Sequence, residues 1–174
     1  MKAMIGLLAM LCCSEGWTRH CELQFNGPLA VVVRYGGFTV LADAEGAQAQ
    51  HAADVALRMP FQDGAPLHAG GKALQVWEAV QLHKGRSSLR LTALPEQAAM
   101  LDFSGSTGSC RIYIGGRAMR DEEIGLIPQR FPGADAALPR RAGQRIFGVV
   151  TRTGALRLAV PVPGQVYRIR PVRR

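Results

Sequence analysis

The sequence predicts a β-rich α+β fold, and three observations carry that reading. Apolar and polar residues alternate at period two on both sides of Lys84-Gly85, over Leu74 to Leu82 and Leu89 to Leu94, as a hairpin with one buried face requires. A β-branched run, Leu29 to Tyr35, meets the return run Phe38 to Asp43 across Gly36-Gly37, a pair suited to a tight reversal. Helical signals are confined to two stretches, Ala47 to Arg58 and Asp121 to Phe131. With 174 residues, 48% hydrophobic content and 20 glycines, the chain suits one turn-rich domain with a sizeable core.

In order, residues 1–20 form an apolar extension. Lys2 followed by the run to Cys13, with small residues at Ser14 and Gly16, has the form of a signal peptide cleaved before Trp17. The competing reading is an N-terminal element packed on the core of a cytoplasmic protein, which we favour. At either length the run is too short to span a bilayer. Residues 21–174 form the single domain. Glu22 to Phe25 alternates, Asn26-Gly27-Pro28 turns, and the Gly36-Gly37 hairpin follows. The Ala- and Gln-rich stretch to Arg58 predicts about three helical turns, with Pro60 and Pro66 marking turns. Met100 to Phe103 and Arg111 to Ile114 are further strands, with Gly105-Ser106-Thr107-Gly108 as their hairpin tip. Asp121 to Phe131 carries acidic residues in its first turn and Arg130 near its end, as a helix favours. Ala136 to Leu138, Ile146 to Thr151, Leu156 to Val162 and Gln165 to Ile169 complete the strands.

The net charge of +8 raises nucleic-acid binding as one function class. The excess, however, lies toward the C-terminus, between Arg130 and Arg174, and only 6% of residues are aromatic, so stacking platforms are scarce. No specific nucleic acid is expected, and a basic nucleic-acid-binding module is kept as the third reading. Cysteines 12, 13, 21 and 110 form no Cys-x-x-Cys pair, and a disulfide between Cys21 and Cys110 requires export. No Ser-His-Asp or Cys-His constellation, phosphate-cradling glycine loop or dinucleotide fingerprint is present.

The hairpin from Glu22 to Asp43 resembles the opening of the metallo-β-lactamase-fold hydrolases, in the branch akin to L-ascorbate-6-phosphate lactonase. The later blocks Trp77 to Val80, Leu89 to Pro95, Met100 to Phe103, Arg111 to Ile114, Ile127 to Pro132, Asp135 to Leu138 and Gly143 to Val149 follow in that family's order. The resemblance implies a shortened αββα sandwich with a metal at one sheet rim. It also implies ligands that this chain lacks. The signature His-x-His-x-Asp-His should follow Asp43, yet the next interval holds only the isolated His51 and His68. Glu96 and Gln97 stand where a histidine is expected after Pro95. Gly115-Gly116-Arg117 stands in place of the bridging aspartate, Pro139-Arg140-Arg141 in place of another histidine, and Pro163-Gly164 in place of the last. Asp43, a supporting residue of the pocket in that family, survives.

Zinc, manganese or iron needs lone pairs from imidazole or carboxylate at about 2.0–2.2 Å, whereas a guanidinium offers none and carries permanent charge. The first reading is therefore a binding or structural protein without catalytic residues. In it Arg117, Arg140 and Arg141 accept a small anionic ligand, and a homodimer covers the edge exposed by the shortening. The alternative is a metal-dependent hydrolase with relocated ligands drawn from His51, Asp54, Asp63, His68 and His83, for which zinc, manganese or iron would be the cofactor.

Overall fold

The structure is a computed structural model and describes residues 20–26, 30–43, 53–58, 66–116, 121–138, 156–157 and 164–171. Thirteen strands and one α-helix lie among them. The first sheet contains β1 (Cys21–Phe25), β2 (Val31–Tyr35), β3 (Phe38–Asp43), β4 (Val55–Arg58), β5 (Leu67–Ala69), β6 (Lys72–Leu74) and β13 (Val166–Ile169), in the order β13-β1-β2-β3-β4-β5-β6. The second contains β7 (Ala79–Lys84), β8 (Ser87–Ala93), β9 (Ala99–Gly105), β10 (Gly108–Ile114), β11 (Ala136–Leu138) and β12 (Leu156–Arg157), in the order β12-β11-β10-β9-β8-β7. Both sheets are mixed: β3 runs parallel to β4, and β10 and β12 run parallel to β11.

Strand periodicity assigns the faces. Cys21, Leu23 and Phe25 of β1 and Val31, Val33 and Tyr35 of β2 point inward. They share one core with Leu89, Leu91, Leu101, Phe103, Cys110 and Ile112 of the second sheet. Phe103 sits 5.7 Å from the Tyr35 ring and 6.5 Å from that of Phe38, which ties the layers together. Burial of each enclosed leucine, such as Leu23 or Leu91, stabilises the fold by about 1.5–3 kcal/mol.

The helix α1 (Asp121–Arg130) lies in the connection between β10 and the parallel β11. Ile127 and Ile124 of this helix, with Leu94, Trp77 and Phe131, cover Met100 and Tyr113 on the outer face of the second sheet. Burial there pushes the Tyr113 phenol well above its ordinary pKa. Arg111 fastens the loop after the helix. Its guanidinium is 2.5 Å from Asp102 and lies over the Phe131 ring, and its backbone N–H donates to Asp135 at 2.7 Å. The described layers thus run sheet, sheet, helix.

Two expectations need correction. The alternating run Leu74 to Leu82 is not one strand: β6 ends at Leu74, residues 75–78 turn, and β7 begins at Ala79 in the other sheet. Glu78 makes that corner by accepting from the Gln75 N–H (3.0 Å) and from Lys72 Nζ (2.7 Å), and these two bonds lower its pKa. Likewise, Val55–Arg58 is strand, not the end of a helix, because Val55 and Leu57 enter the core while β4 pairs with β3. Tertiary pairing overrides the local alanine content there; residues 47–52 lie outside the described residues. The hairpin β5–β6 has no counterpart among the expected elements. Its turn, Gly70-Gly71, has φ of 57° and 86°, the same values as Gly36-Gly37.

Candidate binding rim

The two sheets end together. In register, Ala93 lies opposite Ala99, Ala99 opposite Ile114, and Ile114 beside Leu138. The Gly115 N–H donates to the Leu138 carbonyl at 2.8 Å, which carries this row one residue further. In the first sheet, Asp43 lies in register with Arg58, and Arg58 with His68. The hairpin tips mark the opposite end. There the Tyr35 hydroxyl donates to the Gly108 carbonyl (2.7 Å), and Lys84 Nζ pairs with Asp54 (2.7 Å). The ends of β3, β4, β8, β10 and β11 therefore gather at one rim.

The rim is built from strained backbone. Among the described residues, three that are not glycine have positive φ: Trp77 (70°), Glu96 (53°) and Gln97 (60°). All three flank the end of β8. Trp77 N–H donates to the Ala93 carbonyl at 2.7 Å, while Leu94 N–H donates to Ala98 at 2.8 Å across the 3-10 turn Pro95–Gln97. A residue with a Cβ pays roughly 1–3 kcal/mol for such a conformation, so the surroundings must hold it.

Gly116 is one such constraint. A Cβ there would lie 1.8 Å from the Glu96 carbonyl oxygen and 2.5 Å from the Ala98 nitrogen, so only glycine lets the end of β10 pass beneath the loop. Gln97 is buried in this contact. On the helix side, the Arg130 guanidinium lies 4.1 Å above the Trp77 ring, which places a fixed cation beside the rim.

The residues singled out from sequence are distributed unevenly. Arg117, Arg140, Arg141, His51 and Asp63 lie outside the described residues. Asp43 ends β3 at the rim, and His68 shares its register row through Arg58, a neighbour that sequence reading missed. His83 is exposed on β7 in the other sheet, opposite Ser88. Asp54 is engaged at the hairpin end. Burial raises its pKa, but the hydrogen bonds from Lys84 and the Thr39 N–H, with the Lys84 charge, outweigh this and leave it lowered.

Among the described residues no group of three His, Cys, Asp or Glu side chains converges to hold a metal ion. Of the described residues at the positions where ligands were expected, Gln97, Gly115, Gly116 and Gly164 carry neither imidazole nor carboxylate, and the single carboxylate of Glu96 does not make a metal centre. No helix among them is long and apolar enough to cross a membrane. No family model, curated protein or solved structure matches the chain.

Proposed function

We propose that this chain is a metallo-β-lactamase-like protein whose metal-binding residues have been replaced, and that it binds a small anion at the rim without catalysing its hydrolysis. On this reading the sheet–sheet–helix order is three layers of an αββα sandwich. The observation that carries the proposal is the convergence of strand ends. Gly116 precedes Arg117 directly, Leu138 precedes Arg140 by two residues, and the two strands end side by side through the bond from Gly115 N–H to Leu138. With about 3.8 Å between successive Cα atoms, short connections lead from neighbouring strand ends to all three arginines. Guanidinium forks match the oxygens of a phosphate or carboxylate, and Arg130 adds positive potential. β4 pairs with β3 beyond the shortened interval after Asp43, so the edge that a second copy of the chain would cover is that of β6, the last strand of the first sheet.

Titration calorimetry with a phosphorylated sugar tests the proposal. The intact chain should bind it. The triple variant Arg117→Ala/Arg140→Ala/Arg141→Ala should bind at least about tenfold more weakly, since each charge-assisted hydrogen bond contributes about 1.5–3 kcal/mol. Absence of heat with phosphorylated sugars, inorganic phosphate and carboxylates alike would refute it. Stoichiometric zinc, manganese or iron in the purified protein would favour the hydrolase reading instead.

A further inference from the structure

We propose that Cys21 and Cys110 are the two halves of an inter-sheet disulfide that closes when the chain folds in the presence of a disulfide oxidant. The placement follows from register. One residue beyond the Glu22–Arg34 pair, Cys21 comes abreast of Tyr35 on the inner face of the first sheet. Tyr35 packs across the core on Phe103, and Phe103 is the cross-strand partner of Cys110 on β10. The two thiols come together there in one buried core, with Cys21 at 0% and Cys110 at 1% exposure. Their contact joins β1 to β10 across the sandwich.

A buried pair of thiols in contact gains little as a dithiol, because a thiol is a weak donor and a weak acceptor. The hydrogen bond to Cys21, followed by burial, pushes the Cys110 thiol far above its ordinary range, so in the folded protein Cys110 stays a thiol, and both cysteines are shut away from an external oxidant. Closure therefore belongs to the folding chain, in which the thiols are accessible. One thiolate attacks a small-molecule disulfide, releasing one thiol and forming a mixed disulfide. The second cysteine then displaces the other thiol. Two protein thiols and one external disulfide become one protein disulfide and two external thiols, and the two protons pass to the leaving groups. The bridge would close a loop of roughly 90 residues, long enough to restrict the unfolded chain strongly.

The test is refolding of the full chain with Cys12 and Cys13 changed to serine, either in a mixture of oxidised and reduced glutathione or in reductant alone. The oxidised product should be 2 Da lighter by mass (two hydrogen atoms) and yield a peptide linking Cys21 to Cys110. It should melt about 10 °C above the reduced form. In a C21A/C110A background, which keeps the core apolar, that difference should vanish. Free Cys21 and Cys110 after oxidative refolding, or a melting difference that survives in C21A/C110A, would overturn the inference.

Discussion

The two ends of the sandwich solve the same problem, turning the chain between strands, in opposite ways. At the hairpin end the left-handed backbone falls on glycines, Gly36, Gly37 and Gly85, and polar groups are satisfied locally: Tyr35 by Gly108 and Thr107, Asp54 by Thr39 and Lys84. At the rim the left-handed positions are Trp77, Glu96 and Gln97, which bear side chains that glycine would have spared. Strain held beside the ends of β8 and β10 is what the proposed binding rim would use, and relaxed turns are what a scaffold needs.

The largest effect should come from Gly116→Ala. The added Cβ meets backbone, at 1.8 Å from Glu96 O, and backbone cannot rotate away. A loss of about 3 kcal/mol or more is expected by urea denaturation, in line with severe overpacking. Gly36→Ala is the matching change at the hairpin end. Its Cβ would lie 2.4 Å from Ser87 Oγ, a side-chain atom, at φ +57°. The expected loss is about 2 kcal/mol, roughly half of it recovered by adding Ser87→Gly. Equal costs without that recovery would remove the distinction between the two ends. Tyr35→Phe deletes the hydroxyl that bonds Gly108 and Thr107 and should cost about 1–2 kcal/mol by thermal or urea melts.

Glu96→Gly should act in the other direction, stabilising the fold by about 0.5–1 kcal/mol through relief of the left-handed strain at φ 53°. A destabilised variant would show that the strain is absent. The smallest effect concerns pH. The Asp54 pKa is lowered in the folded state, so its pairing with Lys84 contributes above the ordinary carboxylate value and is lost as pH falls through the lower, folded one. Because the pair is substantially exposed, Asp54→Asn should cost less than about 1 kcal/mol near neutrality and nothing in strong acid.

Much of the scaffold was legible because period-two alternation and glycine pairs are local signals. The hairpins around Gly36-Gly37, Gly85 and Ser106-Thr107, and the helix Asp121–Arg130, follow from residues within a few positions of one another. The strand Val55–Arg58 reads as helix in the sequence because its partner, β3, lies across residues 44–54 and pairs with it in parallel, which no short window records. The corner at 75–78 was hidden because Leu74 to Leu82 keeps its alternation while changing sheets. At the rim, Gly116 could be seen as a glycine but not as one pressed against Glu96. The left-handed Trp77, Glu96 and Gln97 carry no sequence mark at all, since their conformations are imposed by packing.

Whether the strained end binds the anion can be read residue by residue from the backbone amide resonances of the labelled chain as inorganic phosphate is added. Saturable shifts are expected at Glu96, Gln97, Ala98, Gly115 and Gly116, with Gly36, Gly85 and Thr107 unmoved. Shifts centred on the hairpin end, or none at either end, would show that the rim does not bind the anion.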